Sequence, residues 1–290
     1  MQAEQTQPPL LIVGYGYSGD ALARRWLTAG GAVLGLSRTP PSDAPEGMAW
    51  QGIDLDRLQS PPPAILPDTR VVWLAPPPRQ GRTDPRLLQG MRWLLQGGRP
   101  ERLVYASTTS VYGRAEGRVD ESTPAQPSND RGLRRLDAEN TALALGREQG
   151  MTVVRLRIAA IYGPGRLPEA RLRAGKSLDP ILASRPSNRI HRDDLAEALF
   201  LAALRAPADS VYNVSDNNPI AFGDYLDLCA DLMGLPRPPR ASTEGDSAAG
   251  FLQAQRALDA SRLQRELGLR LRWPDPAVAV PAIVQSSAPA

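Results

Sequence analysis

The run LLIV at residues 10–13 leads straight into GYGYSG (14–19), and Ala21, Leu22, Arg25, Trp26 and Ala29 then follow helical spacing. An apolar strand, a glycine turn and a helix in immediate succession form the first half of a βαβ unit. Gly30 and Gly31 end the helix, and Ala32 to Leu36 reads as a second buried strand. Further short apolar runs follow at VVWLA (71–75), RLVYAS (102–107) and TVVRLRIA (152–159), with helical segments between some of them. Strands that alternate with helices predict an α/β chain of Rossmann type, a doubly wound parallel sheet.

Beyond GPGRLP (163–168) the pattern becomes less regular. It gives a loop-rich stretch, a helix from about Asp193 to Leu204, a short strand SVYNVS and a helix around Phe222 to Met233. The stretch 234–250, rich in Pro, Gly, Ser and Ala, reads as a mobile loop, and RALDASRLQRELG (256–268) as a last helix. The predicted organisation is a main domain over 8–165, a smaller mixed region over 166–275 with some elements returning to the main domain, and a frayed Pro/Ala tail over 276–290.

Composition narrows the function. With 290 residues, 42% of them hydrophobic, the chain can bury a sizeable core, and no apolar run approaches the roughly 18 residues a membrane span needs. A net charge of +3 is spread along the chain without the clustered stripe of a nucleic-acid binder. Cys229 is the single cysteine and His191 the single histidine, so there is no internal disulfide and no His/Cys metal cluster. The N-terminal stretch lacks a basic n-region, which sets a cytoplasmic location as the expectation.

GYGYSG fits G-x-G-x-x-G in the context that gives this motif meaning, after a strand and opening a helix. The glycines permit a tight turn and close backbone approach, and the helix N-terminus offers free N–H groups to a pyrophosphate. At the end of the second strand, where NAD enzymes place an acidic residue, the chain has Ser37 and Arg38. No carboxylate there repels a 2′-phosphate. Arg38 can form a charge-assisted contact to that phosphate, with Ser37 as a second donor, which favours NADP over NAD. Asp54 in GIDLD can accept from an adenine amino group or serve as a turn residue.

At ASTTSVYG (106–113), after the strand RLVYA, the chain resembles the extended short-chain dehydrogenase/reductase superfamily, the NAD(P)-dependent epimerase/dehydratase group. GYGYSG resembles that group's cofactor turn, GIDLD its adenine-site segment, VVWLAP its fourth strand and STTSVYG its Ser/Thr loop. LRIAAIYGPG, RIHRDDLAEAL, VYNVSD and LQRELGLRLRWP are similar to its later landmarks, so the likeness covers nearly the whole length. It implies cofactor contacts from Gly14, Gly16, Tyr17, Ser18, Gly19 and Ala75, a small-molecule substrate and a homodimer. Thr108 matches the catalytic Ser/Thr that hydrogen-bonds the reacting oxygen. Tyr112 matches a family tyrosine that is usually structural, and stands with Ala160, Arg166, Arg189 and His191 as a candidate substrate contact. Ala160 occupies the place where sugar-nucleotide members commonly carry an asparagine, which weakens a nucleotide-sugar assignment.

The departure that matters most falls on RGLRRLDAEN (131–140). Family members carry Y-x-x-x-K here, the tyrosine for proton transfer and the lysine to lower its pKa and hold the nicotinamide ribose. Aligned on ESTP before and on Leu136 to Glu139 after, the two positions hold Arg131 and Arg135. Y-x-x-x-K occurs nowhere in the chain, whose one lysine is Lys176. A guanidinium, with a pKa above about 12, is no general acid near neutral pH. Arg135 can still hold ribose hydroxyls and Arg131 an anionic group or a developing oxyanion; alternatively the pair is a solvated face, with Arg135 paired to Glu139 at i,i+4. Two functions stay open. One is an NAD(P)-dependent oxidoreductase of epimerase/dehydratase type with atypical acid/base machinery, and the other an NADP(H)-binding redox sensor or scaffold without turnover.

Overall fold

A computed structural model describes residues 7–242 and 255–287. The chain opens with β1 (Leu10–Val13), α1 (Tyr17–Thr28), β2 (Val33–Ser37), β3 (Met48–Gly52), β4 (Arg70–Trp73), α2 (Pro85–Leu95) and β5 (Arg102–Thr108). A 3-10 turn (Thr109–Tyr112) leads to β6 (Gly117–Val119), α3 (Asp130–Gln149), β7 (Thr152–Ile158) and β8 (Ala160–Tyr162). The remainder comprises α4 (Glu169–Arg173), α5 (Pro180–Ala183), β9 (Arg189–His191), α6 (Arg192–Arg205), β10 (Ser210–Val214), α7 (Phe222–Leu232), β11 (Arg256–Leu258), α8 (Ser261–Leu267) and α9 (Pro276–Ser287).

Among the described residues, seven strands form one parallel sheet in the order β3-β2-β1-β4-β5-β7-β10. Apart from β3, half-exposed at the edge, the strands bury most of both faces, which is why the predicted ones read as continuous apolar runs. One face carries α1 and α6: Leu22, Ala23 and Trp26 pack with Leu195, Leu199 and Ala202 over Ile12, Val72, Val104 and Val154. Trp26 meets Phe200 edge-on at 5.2 Å, and the Arg25 guanidinium lies 3.7 Å from the Phe200 ring centre while pairing with Glu197. The opposite face carries α2 and α3, with Leu87, Met91, Ala138 and Leu145 against Val71, Trp73, Leu103 and Tyr105. The Leu, Ile, Val and Met side chains among these each contribute about 1.5–3 kcal/mol when fully buried.

The C-terminal region divides between two jobs. Helices α6 and α8 and strand β10 return to the main domain, α6 beside α1 and β10 beside β7. A separate core is built from Tyr162, Leu172, Leu178, Leu182, Leu226, Cys229, Val280 and Ile283, joining α4, α5, α7 and α9. Two short parallel ribbons, β8/β9 and β6/β11, tie the two parts together.

Two expectations need correcting, and a third lies partly outside the described residues. The tail expected to fray from 276 is helical through Ser287, with Ala279, Val280 and Ile283 buried against the α7 core. Asp275 starts it: its Oδ1 accepts from the Ala277 N–H at 2.8 Å, and Pro276 takes the first helical position, where a missing N–H costs nothing. The last helix is shorter than the reading of 256–268, because Arg256–Leu258 pairs with β6 as a strand before α8 begins. The loop read over 234–250 falls partly, from 243 on, outside the described residues, and in its described portion Arg237 pairs with Asp231 and Arg240 with Asp227.

Candidate active site

The strand order reverses between β1 and β4, and GYGYSG lies at that switch point, on the carboxyl edge of the sheet. Gly14 adopts φ +87°, and a Cβ there would come within 2.4 Å of the Ala75 backbone, so no other residue fits. At Gly16, by contrast, a Cβ would meet nothing within 4 Å; the turn is open on that side. Gly19 is buried beneath the helix, where a Cβ would crowd Ile12. Tyr17, Ser18 and Gly19 form the first turn of α1, whose N–H groups have no partner within the helix. One glycine for the turn, one for the open side and one for helix packing is a cradle suited to a diphosphate.

Below the turn, at the end of β2, Arg38 is exposed, with no hydrogen bond or ion pair among the described residues. It lines a cavity of about 350 Å³ together with Gly52, Ile53, Asp54, Arg57 and Trp93. Asp54 is a turn residue, since its Oδ1 accepts from the Asp56 N–H at 3.0 Å, and it also lines that cavity. Ser37 departs from expectation. Its hydroxyl donates to the Thr39 carbonyl at 2.8 Å and accepts from Trp50 Nε1 at 2.9 Å, so its one proton is already engaged and it is no second donor to a phosphate.

Thr108 ends β5 at the same edge, buried to 9% exposure. Its hydroxyl accepts a long 3.4 Å bond from the Ser110 N–H, and among the described residues nothing accepts its proton. Facing it is α3, which Asn129 caps by accepting from the Gly132 N–H at 2.9 Å. Arg135 does not pair with Glu139. Its Nη1 donates instead to the Ala106 carbonyl at 3.0 Å and to the Tyr105 hydroxyl at 3.1 Å, beside Thr108 in the chain. Burial pushes the Tyr105 hydroxyl up to about 12 despite that cation, so Tyr105 stays a neutral phenol. Arg131 is exposed and makes no hydrogen bond or ion pair among the described residues; partial desolvation, then Arg135 and Arg134, lower its pKa below the ordinary arginine value. An unpaired cation one turn from another attracts an anion.

A buried network that sequence reasoning missed holds this geometry. Glu139, with no exposed surface, accepts from Ser107 Oγ at 2.5 Å and from Arg157 Nε and Nη2 at 3.1 and 2.9 Å. Burial alone would lower the Arg157 pKa; the hydrogen bond and charge of Glu139 reverse that and hold it above its ordinary value. The network pins α3 to β5 and β7. Glu139 was visible in the sequence as an alignment landmark, but its partners lie 32 and 18 residues away.

The candidate substrate contacts separate. Tyr112 is corrected to a structural role: it is 1% exposed, and its hydroxyl donates to Asn213 Oδ1 at 2.7 Å. Ala160, Arg189 and His191 come together on the β8/β9 ribbon. Arg166 is placed elsewhere, its guanidinium 4.1 Å from the ring centre of Tyr17. Arg192, which sequence reading passed over, stacks on the same ring at 5.0 Å. The Tyr17 hydroxyl donates to the Pro164 carbonyl at 3.0 Å and so joins the glycine turn to the GPG turn.

A glycine cradle at the switch point of a seven-stranded parallel sheet, with a Ser/Thr loop on the same edge, defines a dinucleotide-binding Rossmann protein. The chain belongs to the NAD dependent epimerase/dehydratase family, within the extended short-chain dehydrogenase/reductases, and matches it over residues 86–215. It is 31% identical over 279 residues to Protein YeeZ of Escherichia coli K12, an alignment that covers 92% of this chain and 97% of that protein. A functionally unknown conserved protein from Silicibacter pomeroyi has a similar structure, with a TM-score of 0.75 and 26% identity over 97% of this chain and 100% of its own. UDP-glucuronic acid 4-epimerase from Bacillus cereus, solved with NAD, shares the fold at a TM-score of 0.74 and 14% identity, covering 96% of this chain and 99% of that one. No helix among the described residues is long and apolar enough to cross a membrane.

Proposed function

We propose that the chain is an NADP-preferring oxidoreductase acting on a carbonyl or alcohol carbon of a small substrate. The observation that carries the reading is Thr108: a nearly buried hydroxyl at the switch-point edge, with its proton unclaimed and Arg135 anchored beside it. When bound, the nicotinamide coenzyme supplies or accepts the hydride. The chain's own residues bind and orient. Gly14, Gly16 and the N–H groups of Tyr17, Ser18 and Gly19 hold the diphosphate, Arg38 the 2′-phosphate, Asp54 the adenine side and Arg135 the ribose hydroxyls.

Thr108 donates its free proton to the reacting oxygen as a hydrogen bond, and Arg131 stabilises the negative charge that gathers there. Neither is a proton source near neutral pH, because the guanidinium stays charged and a threonine hydroxyl is far too weak an acid. The proton that completes a carbonyl reduction therefore comes from solvent. Residues 8–165 form most of the dinucleotide-binding part, and the region 166–275, apart from the elements that return to the main domain, contributes to the substrate side.

The test is a fluorescence titration with NADPH and NADH followed by a carbonyl screen. Tight NADPH binding with turnover that falls on the order of 100-fold in Thr108→Ala, at unchanged coenzyme affinity, supports the reading. Tight binding without turnover on any carbonyl returns the chain to the redox-sensor alternative, which the missing tyrosine favours.

A further inference from the structure

Strands β8 and β9 pair in parallel register, Ala160 beside Arg189 and Tyr162 beside His191, so these four side chains share one face of the ribbon. Ile161 and Ile190 on the other face join the core under the sheet. Aromatic rings close over the polar face. The Arg189 guanidinium lies 3.6 Å from the ring centre of Tyr225, Tyr162 meets Tyr225 at 6.2 Å, and His191 meets both Tyr162 and Trp273 at 5.3 Å. Asp216 arrives from the end of β10, its N–H donating to the Arg189 carbonyl at 2.7 Å, and its charge acts on both Arg189 and Tyr162.

Tyr162, Arg189, His191 and Asp216 are each only 2–3% exposed. Even so, the Tyr162 hydroxyl, His191 Nε2, Trp273 Nε1 and Asp216 Oδ2 have no hydrogen-bond partner among the described residues. His191 Nδ1 accepts from the Asp193 N–H at 3.2 Å, so in the neutral ring Nε2 carries the proton and donates. Among the described residues the Arg189 guanidinium makes one hydrogen bond, from Nη1 to the Ser187 carbonyl at 2.8 Å, and no ion pair. Buried polar groups in folded proteins are paired. A bridging water pairs some of these atoms but brings no counter-charge, and Asp216, whose charge acts on Arg189, forms no ion pair with it among the described residues. Donors outnumber acceptors here, which is the pattern an oxyanion fits.

We propose that this face of the β8/β9 ribbon binds a small hydroxy acid, its carboxylate held by Arg189, Tyr162 and His191 and its hydroxyl donating to Asp216. Ala160, in register with Arg189, adds only a methyl group to that face. The site adjoins the dinucleotide turn, since a Cβ on Gly163 would lie 2.6 Å from the Tyr17 hydroxyl and 3.5 Å from His191 Nε2. That the acid is substrate rests on the oxidoreductase reading; that it binds does not.

Calorimetric melting of the full chain with sodium glycerate, lactate or malate, set against acetate and glycerol, tests the site. At least one hydroxy acid should raise Tm by roughly 5 °C near hundredfold saturation, at lower concentration than acetate, while glycerol has no effect. Arg189→Met should fold and lose affinity on the order of 10–100-fold, since a charge-assisted contact is removed. Tyr162→Phe, which deletes one hydroxyl, keeps the test open if the arginine variant does not fold, and should weaken binding without lowering Tm. The proposal is overturned if no hydroxy acid raises Tm more than acetate does, or if wild type and both variants respond alike. NADPH titration separates the two readings: coenzyme binding without hydroxy-acid binding removes the site alone, and the reverse removes the coenzyme reading alone.

Discussion

Glu139 has no exposed surface and answers to Ser107 on β5 and Arg157 on β7 at once. Glu139→Gln leaves the Arg157 charge buried without a counter-charge, and should cost about 3–5 kcal/mol in urea unfolding, because breaking one side of a buried pair strands the other. Arg38→Asp should weaken NADPH on the order of 10–100-fold and NADH far less in the same fluorescence titration; equal losses would reject the 2′-phosphate assignment. At Asp216 burial pushes the carboxyl up to about 7. The unfolded chain releases that proton near pH 4, so the group stabilises the fold fully below about pH 4 and progressively less as pH rises to about 7. Asp216→Asn should therefore gain on wild type across that window, by on the order of a few kcal/mol at its upper end, read as the difference in Tm against pH. Residue types at the site were legible in the sequence, but their engagement was not. Ser37 is occupied by Trp50, Tyr112 by Asn213 and Arg135 by the Ala106 carbonyl, and no local spacing encodes such partners.

Among the elements, α9 shows what composition conceals. Its Pro/Ala content suggests fraying, and Pro281 inside the helix removes a backbone donor, yet burial of Ala279, Val280 and Ile283 on the α7 side outweighs both. A chain ending at Asp275 should lose roughly 2–5 kcal/mol, seen as a lower urea midpoint with Tyr225 and Cys229 newly exposed. An unchanged midpoint would mean the helix contributes nothing. The Asp-Pro pair at 275–276 was the available signal for its start, one more telling than the residues after it. The central strands were readable because burial on both faces writes continuous apolar runs. The three-residue strands β6, β8, β9 and β11 were not, since three residues carry no detectable period, and β3 sits half-exposed at the sheet edge with no clean alternation. The candidate hydroxy-acid site is built on two of those unreadable strands: the resemblance named Ala160, Arg189 and His191 as substrate contacts, and the register of β8 against β9 adds Tyr162 to the same face.

For the molecule as a whole, the glycine turn, the parallel sheet and the order of landmarks along the chain foretold the architecture, but which elements beyond 165 return to the main domain was not legible. Strand β10 is one of the two outermost strands of the sheet, and α6 supplies half of the helical layer on one face, though both come from the later part of the chain. A fragment ending at 165 would leave β7 with an open edge and expose Ile12, Val72, Val104 and Val154 where Leu195 and Leu199 now lie. Expressed alone it should aggregate or give a broad, non-cooperative melt; a sharp transition would show that it folds unaided. The interleaving also has an evolutionary consequence. A coenzyme half that borrows a strand and a helix from its companion cannot be cut out and fused to a new recognition unit, so changes in specificity must come from substitutions within the loops and ribbons rather than by shuffling whole modules.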